Sequence, residues 1–400
     1  MNWNNCIERH NTHSVKWSFS DEEIIPMCIA DMDFQVSEAI TEAMKEKAKH
    51  GIYGYTTFSE RYFHAIQMWW ERRHGLEVKR EWIAFSPGII PGMNILLGLL
   101  TEPGDSVIVQ DPVYYPFYST VENNGCTILK NTLTYENGHY EMDFEDLESK
   151  AADPKTKVLI LCSPHNPVGR VWTKRELGQV AEICLKHGVW IISDEMHGDL
   201  VYEGAVHHPL FSIQKDLQQN SILCAAPSKT FNIAGLQTSI MMIPNKELKE
   251  KYEQKLLNLG MSRPNAFGVE GTIAAYEQGE PWLDELLMYL EGNRQFTVNY
   301  LQENIPSVKA VIPEATHLIW LDCSELGMEH EELFEFFLVE AKIKFDEGYK
   351  FGPGGGKFVR MNIACPRERL EMALQRMDEA VLRKRVEDRA QISSANGGKC

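Results

Sequence analysis

Three short segments of the chain carry an amide, a carboxylate and an amine, and each directly follows an apolar run. They centre on Asn166, Asp194 and Lys229. Burying a lysine is costly unless its charge is neutralised or its amine is used covalently. A desolvated lysine with a lowered pKa is the nucleophile that Schiff-base chemistry needs. The pattern therefore predicts covalent amine chemistry at Lys229, beside an acid and an amide.

Short apolar runs, bounded by Pro, Gly or Asp, predict the strands that position these residues. Such runs are typical of the buried strands of a largely parallel sheet. Between them, Thr173–His187 opens with a capping-box pattern and ends before Gly188, which predicts a helix. This alternation predicts an α/β sheet with helices on both faces, where ligands bind at the carboxyl ends of strands. The predicted strands are Ser106–Gln110, Val158–Ser163, Val189–Ser193, Ile222–Ala226 and Ser239–Ile243.

From about residue 293 the pattern changes to that of a smaller α+β domain. Its predicted strands are Val308–Ile312, His317–Leu321 and Phe358–Ile363, and its predicted helices are His330–Ala341 and Glu368–Arg383. We predict an N-terminal segment (1–49) that packs with the small domain, a large domain (50–288), the small domain (289–388) and a flexible tail (389–400).

Composition and charge exclude several classes of protein. Of the 400 residues 44% are hydrophobic, enough for a large core, and the net charge of -17 disfavours binding to nucleic acid. No apolar stretch reaches the ~20 residues of a membrane helix, and the polar N-terminus does not resemble a signal peptide. The nine cysteines lack a C-x-x-C pattern, which predicts free thiols in a cytoplasmic protein without a metal site. His207 and His208 are interpreted as loop residues, because no acidic or cysteine partner stands at ligand spacing.

The order Asn-Pro-x-Gly, Asp-x-x-(Tyr/His) and Ser-Lys resembles fold-type-I pyridoxal-phosphate (PLP) enzymes of the class I/II aminotransferase group. Each motif alone is common, whereas all three in this order, each after a predicted strand, are specific. The resemblance extends from about Pro26 to Arg383. It implies a mostly parallel sheet in a large domain, a smaller α+β C-terminal domain, and a homodimer with active sites at the subunit interface.

The resemblance also implies how the cofactor ring is held. Lys229 would bind PLP covalently and later act as the base at the substrate Cα. Asp194 would keep the pyridine nitrogen protonated, which makes the ring an electron sink. Asn166 and His197 would hydrogen-bond the ring oxygen, and Tyr114 would stack on the ring.

For the phosphate, the resemblance implies a helix N-terminus and two hydroxyl groups. The backbone N–H groups of Gly88, Ile89 and Ile90 would form the cradle. Ser228 would add a hydroxyl, and Tyr55 would reach the phosphate of the neighbouring subunit. This last role requires a homodimer.

For the substrate, the resemblance implies that Arg360 binds the α-carboxylate through two parallel hydrogen bonds, together with the backbone near Ala30. Lys229 would take the Cα proton.

Departures from the aminotransferase pattern indicate a subgroup. His197 stands where aminotransferases usually have a tyrosine, and Gln237 where they have a phosphate-binding arginine. With the Ala30–Phe34 segment, these positions resemble cystathionine β-lyase-like carbon–sulfur lyases. This resemblance implies that a thioether substrate would yield a thiol, pyruvate and ammonia, and that Lys229 or Tyr114 would protonate the departing thiolate. Two alternatives stay open: an aminotransferase that needs an α-keto acid, and a PLP-fold protein that mainly regulates a partner. The physiological thioether also stays open.

Overall fold

The chain forms two compact units in a computed structural model that describes residues 1–18 and 21–397, with side chains described to residue 388. The first unit comprises Met1, Gln35–Met288 and Pro313–Thr316; the second comprises Asn2–Phe34, Tyr289–Ile312 and the chain from His317 onwards. The predicted N-terminal segment 1–49 is divided between the units, because helix Glu38–His50 packs on helix Ala266–Gln278 of the first.

Helices and strands alternate along much of the chain. The helices are α1 (Glu38–His50), α2 (Glu60–His74), α3 (Ile89–Leu100), α4 (Pro116–Asn123), α5 (Phe144–Ala151), α6 (Lys174–His187), α7 (Pro227–Thr230), α8 (Lys246–Asn258), α9 (Ala266–Gln278), α10 (Glu280–Asn304), α11 (His330–Glu335) and α12 (Arg367–Gly397). The strands are β1 (Ile25–Pro26), β2 (Ile83–Ser86), β3 (Ser106–Val109), β4 (Thr127–Lys130), β5 (Thr134–Glu136), β6 (His139–Glu141), β7 (Thr156–Cys162), β8 (Trp190–Asp194), β9 (Ser221–Ala225), β10 (Ser239–Met242), β11 (Lys309–Val311), β12 (Leu318–Asp322), β13 (Ile343–Lys344), β14 (Asp346–Glu347) and β15 (Phe358–Asn362). Within the described part of the chain, no helix combines the length and apolar character that a membrane span requires.

A seven-stranded sheet, in the order β2-β10-β9-β8-β7-β3-β4, forms the centre of the first unit. Strands β9, β8, β7, β3 and β4 run parallel, and β10 is antiparallel to both of its neighbours. The sequences of the parallel strands β3, β8 and β9 are mostly apolar, as expected for strands that are buried in a sheet. The predicted α/β class is confirmed, and each predicted strand of this sheet lies within two residues of its expected bounds.

Helix α6 begins and ends as its sequence predicts. The Thr173 hydroxyl accepts the Glu176 N–H at 3.2 Å, and the Glu176 carboxylate accepts the Thr173 N–H at 2.7 Å. At the other end, Gly188 adopts a left-handed φ of 69° that terminates the helix. Local capping chemistry therefore sets both ends of this helix.

The second unit is built around a four-stranded sheet in the order β11-β12-β15-β14, in which all neighbours are antiparallel. Its three longer strands match the predicted ones, but both predicted helices need correction. Helix α11 ends at Glu335 and continues as a π-helix over Phe336–Glu340, which buries both Phe336 and Phe337. Helix α12 continues through the predicted tail to Gly397, and residues 398–400 lie outside the described residues.

Candidate active site

The register of the sheet brings the three predicted polar segments to one edge of the first unit. Strands β7, β8 and β9 are parallel neighbours, in which Asp194 pairs with Cys162 on one side and Cys224 on the other. Asn166 and Lys229 lie just beyond the carboxyl ends of β7 and β9, and Asp194 ends β8. In open α/β sheets, ligands bind at this edge. We call Asn166, Asp194 and Lys229 the strand-edge group.

The turn that holds Asn166 depends on a glycine. The His165 N–H donates to the Arg170 carbonyl at 2.8 Å and closes the turn. Gly169 has a φ of 76°, and a Cβ there would lie 2.5 Å from the Pro313 Cβ. Only glycine satisfies both constraints. The turn thereby presents a buried side-chain amide, because Asn166 is only 5% exposed.

Asp194 is a buried carboxyl flanked by thiols in the sheet register. Its pKa is raised to about 7, chiefly by burial and also by the Glu195 carboxylate, while the Met196 N–H and the Lys229 charge act in the opposite direction. Its Oδ1 accepts the Met196 N–H at 3.1 Å. A cationic N–H group bound against this carboxyl would favour its ionised form.

Lys229 lies in the short helix α7 and is half-buried. The residues on either side anchor this helix. The Thr230 hydroxyl donates to Asp199 at 2.7 Å, and the Ser228 carbonyl accepts the Ile233 N–H at 3.0 Å. These bonds hold the backbone that carries the Lys229 amine. The positive charge of the amine acts to lower the pKa of Asp194 at the end of β8.

A buried polar cluster, which the sequence analysis missed, adjoins α7 through Asp199. Asp199 Oδ1 accepts the Trp69 Nε1–H at 3.2 Å and hydrogen-bonds His74 Nε2 at 2.8 Å. Beside it, His207 Nε2 hydrogen-bonds Glu195 at 2.9 Å. His207 lies in a loop, as predicted, but it is buried and paired. No motif signals this cluster, because its members are far apart in the sequence. In the described part of the chain, no three His, Cys, Asp or Glu side chains are grouped to hold a metal ion.

The first turn of α3 lies close against the sheet. Gly88 is the N-cap, and the N–H groups of Ile89 and Ile90 have no acceptor within the helix. The Ser86 hydroxyl donates to the Gly88 carbonyl at 2.6 Å. A Cβ on Gly92 would lie 2.9 Å from Ser86 Oγ and would overlap a core methionine. The close approach therefore requires a glycine, and the helix N-terminus favours an anion.

The two adjacent tyrosines after β3 differ in their surroundings. Tyr114 is half-buried and makes an edge contact with Phe117, with ring centroids 5.7 Å apart, whereas Tyr115 is 41% exposed. His197, the predicted partner of the cofactor ring oxygen, is buried. The assignment of stacking to Tyr114 rather than Tyr115 stays a prediction.

Tyr55 and Gln237 lie on the surface of the single chain. Tyr55 is 94% exposed, and its ring centroid lies 4.8 Å from the Arg263 guanidinium. Gln237 is exposed and adopts a left-handed φ of 48°. The role of Tyr55 at a neighbouring subunit stays a prediction.

Arg360 and Ala30, the predicted substrate residues, lie in the second unit. Arg360 is 3% exposed, and Asp346 Oδ2 accepts its Nη2–H at 2.5 Å and its Nε–H at 3.1 Å. The Arg360 guanidinium carbon lies 4.8 Å from the Phe351 ring centroid. Ala30 follows Ile29, which has a φ of 56°. The sequence analysis missed Asp346, because only the register of β14 with β15 brings it opposite Arg360.

Comparison with known proteins assigns the chain to a family. The family model "Aminotransferase class I and II" matches residues 22–377. Because this match covers most of the chain, the protein belongs to that family. The match confirms the resemblance to the class I/II aminotransferase group that the sequence motifs predicted. The mostly parallel sheet is consistent with this assignment.

Individual relatives and solved structures indicate a subgroup within this family. Cystathionine beta-lyase PatB of Bacillus subtilis is 45% identical over 386 residues, which cover 95% of this chain and 100% of that protein. The structure of cystalysin from Treponema denticola, which contains pyridoxal 5′-phosphate, matches with a TM-score of 0.92 at 34% identity, covering 95% of this chain and 98% of that one. A PLP-bound putative aminotransferase from Clostridium difficile matches with a TM-score of 0.93 at 43% identity, covering 95% and 99%. These neighbours confirm the predicted fold type and the similarity to the carbon–sulfur lyase subgroup.

Proposed function

We propose that this protein is a PLP-dependent carbon–sulfur β-lyase that cleaves cystathionine or related L-cysteine S-conjugates to a thiol, pyruvate and ammonia. The observation that carries the proposal is the strand-edge group. In this group, burial raises the pKa of the Asp194 carboxyl to about 7, and the nearby charge of Lys229 acts in the opposite direction. The 45% identity to a relative named cystathionine beta-lyase supports the reaction class.

The side chains of the first unit fit PLP. A buried carboxyl with a raised pKa suits the protonated pyridine nitrogen at Asp194. The amide of Asn166 suits the ring oxygen, and the Ser228 hydroxyl with the α3 N-terminus suits the phosphate. His197 would donate to the ring oxygen and Tyr114 would stack. When bound, PLP supplies an electron sink for the negative charge at the substrate Cα.

Each step of the reaction assigns a task to a residue of this chain. The Lys229 Nζ binds the cofactor and, once released, takes the proton from the substrate Cα. Arg360, with the backbone near Ala30, binds the α-carboxylate. The Cβ–S electron pair leaves on sulfur, and Lys229 or Tyr114 returns a proton to it. With water, cystathionine then yields homocysteine, pyruvate and ammonia.

We also propose a cytoplasmic homodimer. Three large apolar residues close together in the sequence are exposed: Ile52 by 69%, Tyr53 by 59% and Tyr55 by 94%. Clusters of exposed apolar residues are typical of interfaces. A second copy of the chain placed against it would bring Tyr55 to the neighbouring phosphate. The free thiols of the cysteines within the described residues suit a reducing compartment.

The test of the lyase reaction uses PLP-loaded protein, L-cystathionine and no keto acid, with pyruvate and free thiol assayed together. We expect sustained, equimolar release of both. Lys229→Ala should abolish this turnover, because it removes the base. Lys246→Ala, which removes a lysine with a 90% exposed side chain on α8, should leave it unchanged.

Two outcomes would contradict the proposal. Turnover that begins only after an α-keto acid is added would identify an aminotransferase. Absence of turnover in both assays would favour the regulatory alternative.

A further inference from the structure

The backbone at Ile29 is held in a strained conformation. Its φ of 56° lies in the left-handed region, which a β-branched residue rarely adopts. Such a conformation persists only where neighbouring contacts hold it, and it is found preferentially at functional sites. Ile29 directly precedes Ala30, whose backbone is proposed to bind the substrate carboxylate.

Two side chains of the second unit hold both polar backbone groups of Ile29. Asp346 Oδ2 accepts the Ile29 N–H at 3.0 Å, and Asn362 Nδ2 donates to the Ile29 carbonyl at 2.6 Å. The Asn362 amide also donates to the Asp31 carbonyl at 2.8 Å. Because the peptide unit is planar, fixing the Ile29 carbonyl also fixes the direction of the Ala30 N–H.

The same carboxylate oxygen holds Arg360. Asp346 Oδ2 accepts Arg360 Nη2–H at 2.5 Å and Nε–H at 3.1 Å. Asp346 pairs directly with Arg360 across β14 and β15, and Asn362 lies two residues further along β15, on the same face. Arg360 is buried and Asp346 is half-buried, with side-chain exposures of 3% and 15%. One oxygen atom therefore joins the strained backbone to the arginine.

The hydrogen bonds to Asp346 orient the guanidinium of Arg360. Arg360 carries five N–H donors in a planar fork. Asp346 Oδ2 accepts from both Nε and Nη2, and two bonds to one side of a planar group fix the direction of the whole group. The Asp346 carboxylate also compensates the charge of the buried arginine.

We propose that Asp346 is a positioning residue, which sets the Arg360 guanidinium and the Ile29–Ala30 backbone together in the geometry that binds the α-carboxylate of an amino acid. The inference rests on the proposed function for its substrate class. It does not depend on which bond of the substrate is cleaved.

The experiment titrates PLP-loaded wild-type and Asp346→Asn proteins with L-alanine and with ethylamine, and follows the absorbance of the bound cofactor. The two probes share an amine and differ in the α-carboxylate. We expect the Kd for L-alanine to rise about 10- to 100-fold, as for a lost charged hydrogen bond, and the Kd for ethylamine to change less than about twofold. Glu347→Gln, next to Asp346 on β14, should change neither value, because Glu347 pairs with Lys350 instead.

Two results would overturn the proposal. An equal rise for both probes would show a general loss of structure, and an unchanged Kd for L-alanine would show that Asp346 does not act on the carboxylate. If Asp346→Asn does not fold, Asp346→Glu keeps the charge and displaces the oxygen atoms by one methylene. It should show the same selective loss, and the same two results would overturn the proposal.

The titration separates this inference from the proposed function, because L-alanine has no leaving group and binding requires no elimination. A wild-type protein that releases no pyruvate from L-cystathionine would refute the lyase reaction while the two Kd values still report on Asp346. A wild-type lyase whose Asp346→Asn variant weakens both probes equally would refute the positioning role alone.

Discussion

At the scale of single residues, Asp194 titrates in a range where an exposed aspartate is already ionised. Burial is the main reason why its pKa rises from 3.8 to about 7, and the Glu195 carboxylate adds to the effect. A protonated ring nitrogen bound against the carboxyl would restore its ionised form. The side chain thus destabilises the cofactor-free fold at neutral pH and becomes favourable when a cation is bound.

The stability of the cofactor-free protein should therefore carry a pH-dependent contribution from Asp194 between about pH 4 and pH 7. In this range the unfolded state has released the Asp194 proton and the folded state has not, so the free energy of unfolding falls as pH rises. At ~1.4 kcal/mol for each tenfold change in acidity, the full contribution is at most about 4 kcal/mol.

Urea unfolding of wild-type and Asp194→Asn proteins without PLP measures this contribution. Because asparagine does not ionise, the variant should gain stability relative to wild type as the pH is raised from about 5 to about 8. A stability difference that is the same at both pH values would contradict a raised pKa.

At the scale of elements, helix α3 must lie close to the sheet for its first turn to serve the phosphate. A Cβ on Gly92 would lie 2.3 Å from Met241 Cε and 2.9 Å from Ser86 Oγ. Ser86 in turn bonds the Gly88 carbonyl at the N-cap. A side chain at position 92 would therefore disturb the turn that contains the proposed phosphate ligands.

Gly92→Ala should lower both the free energy of unfolding and the affinity for PLP. Overpacking of this kind costs about 1–3 kcal/mol. The matched control is Gly178→Ala in α6, where a Cβ would meet nothing within 4 Å, and this change should raise stability by up to about 1 kcal/mol. Urea unfolding and PLP titration of both variants provide the comparison. Equal effects of the two substitutions would mean that α3 has room to adjust.

At the scale of the whole molecule, the proposed dimer makes each active site depend on two chains. Lys229 would come from one subunit and Tyr55 from the other. The 94% exposure of Tyr55 in the single chain leaves its ring available for such a contact. A mixture of two inactive variants tests this arrangement.

Lys229→Ala and Tyr55→Ala proteins, unfolded together, refolded and assayed at low PLP concentration, should regain lyase activity. Each mixed dimer would contain one site with both Lys229 and Tyr55, so random pairing should restore about one quarter of the wild-type sites. The separately refolded variants are the controls. Activity equal to the average of these controls would contradict the shared site.

Much of the fold could be predicted because its signals are local. The strands of the large sheet are apolar runs with clear ends, and the capping box of Thr173 with Glu176 sets the start of α6 within one turn. The π-helix at Phe336–Glu340 and the full length of α12 were missed. No local signal marks the π-helix, whose Phe336 and Phe337 are buried. Helix α12 continues because residues 384–396 contain neither proline nor glycine.

The sequence by itself determined the strand-edge group, because Asn166, Asp194 and Lys229 each lie within a few residues of a strand end, and parallel strands present those ends at one edge. Only the tertiary structure decided the pKa of Asp194 and the pairing of Asp346 with Arg360. Acidity depends on burial and on charges brought from other elements, and strand register depends on contacts between distant parts of the chain. Neither is encoded in the local spacing of residues.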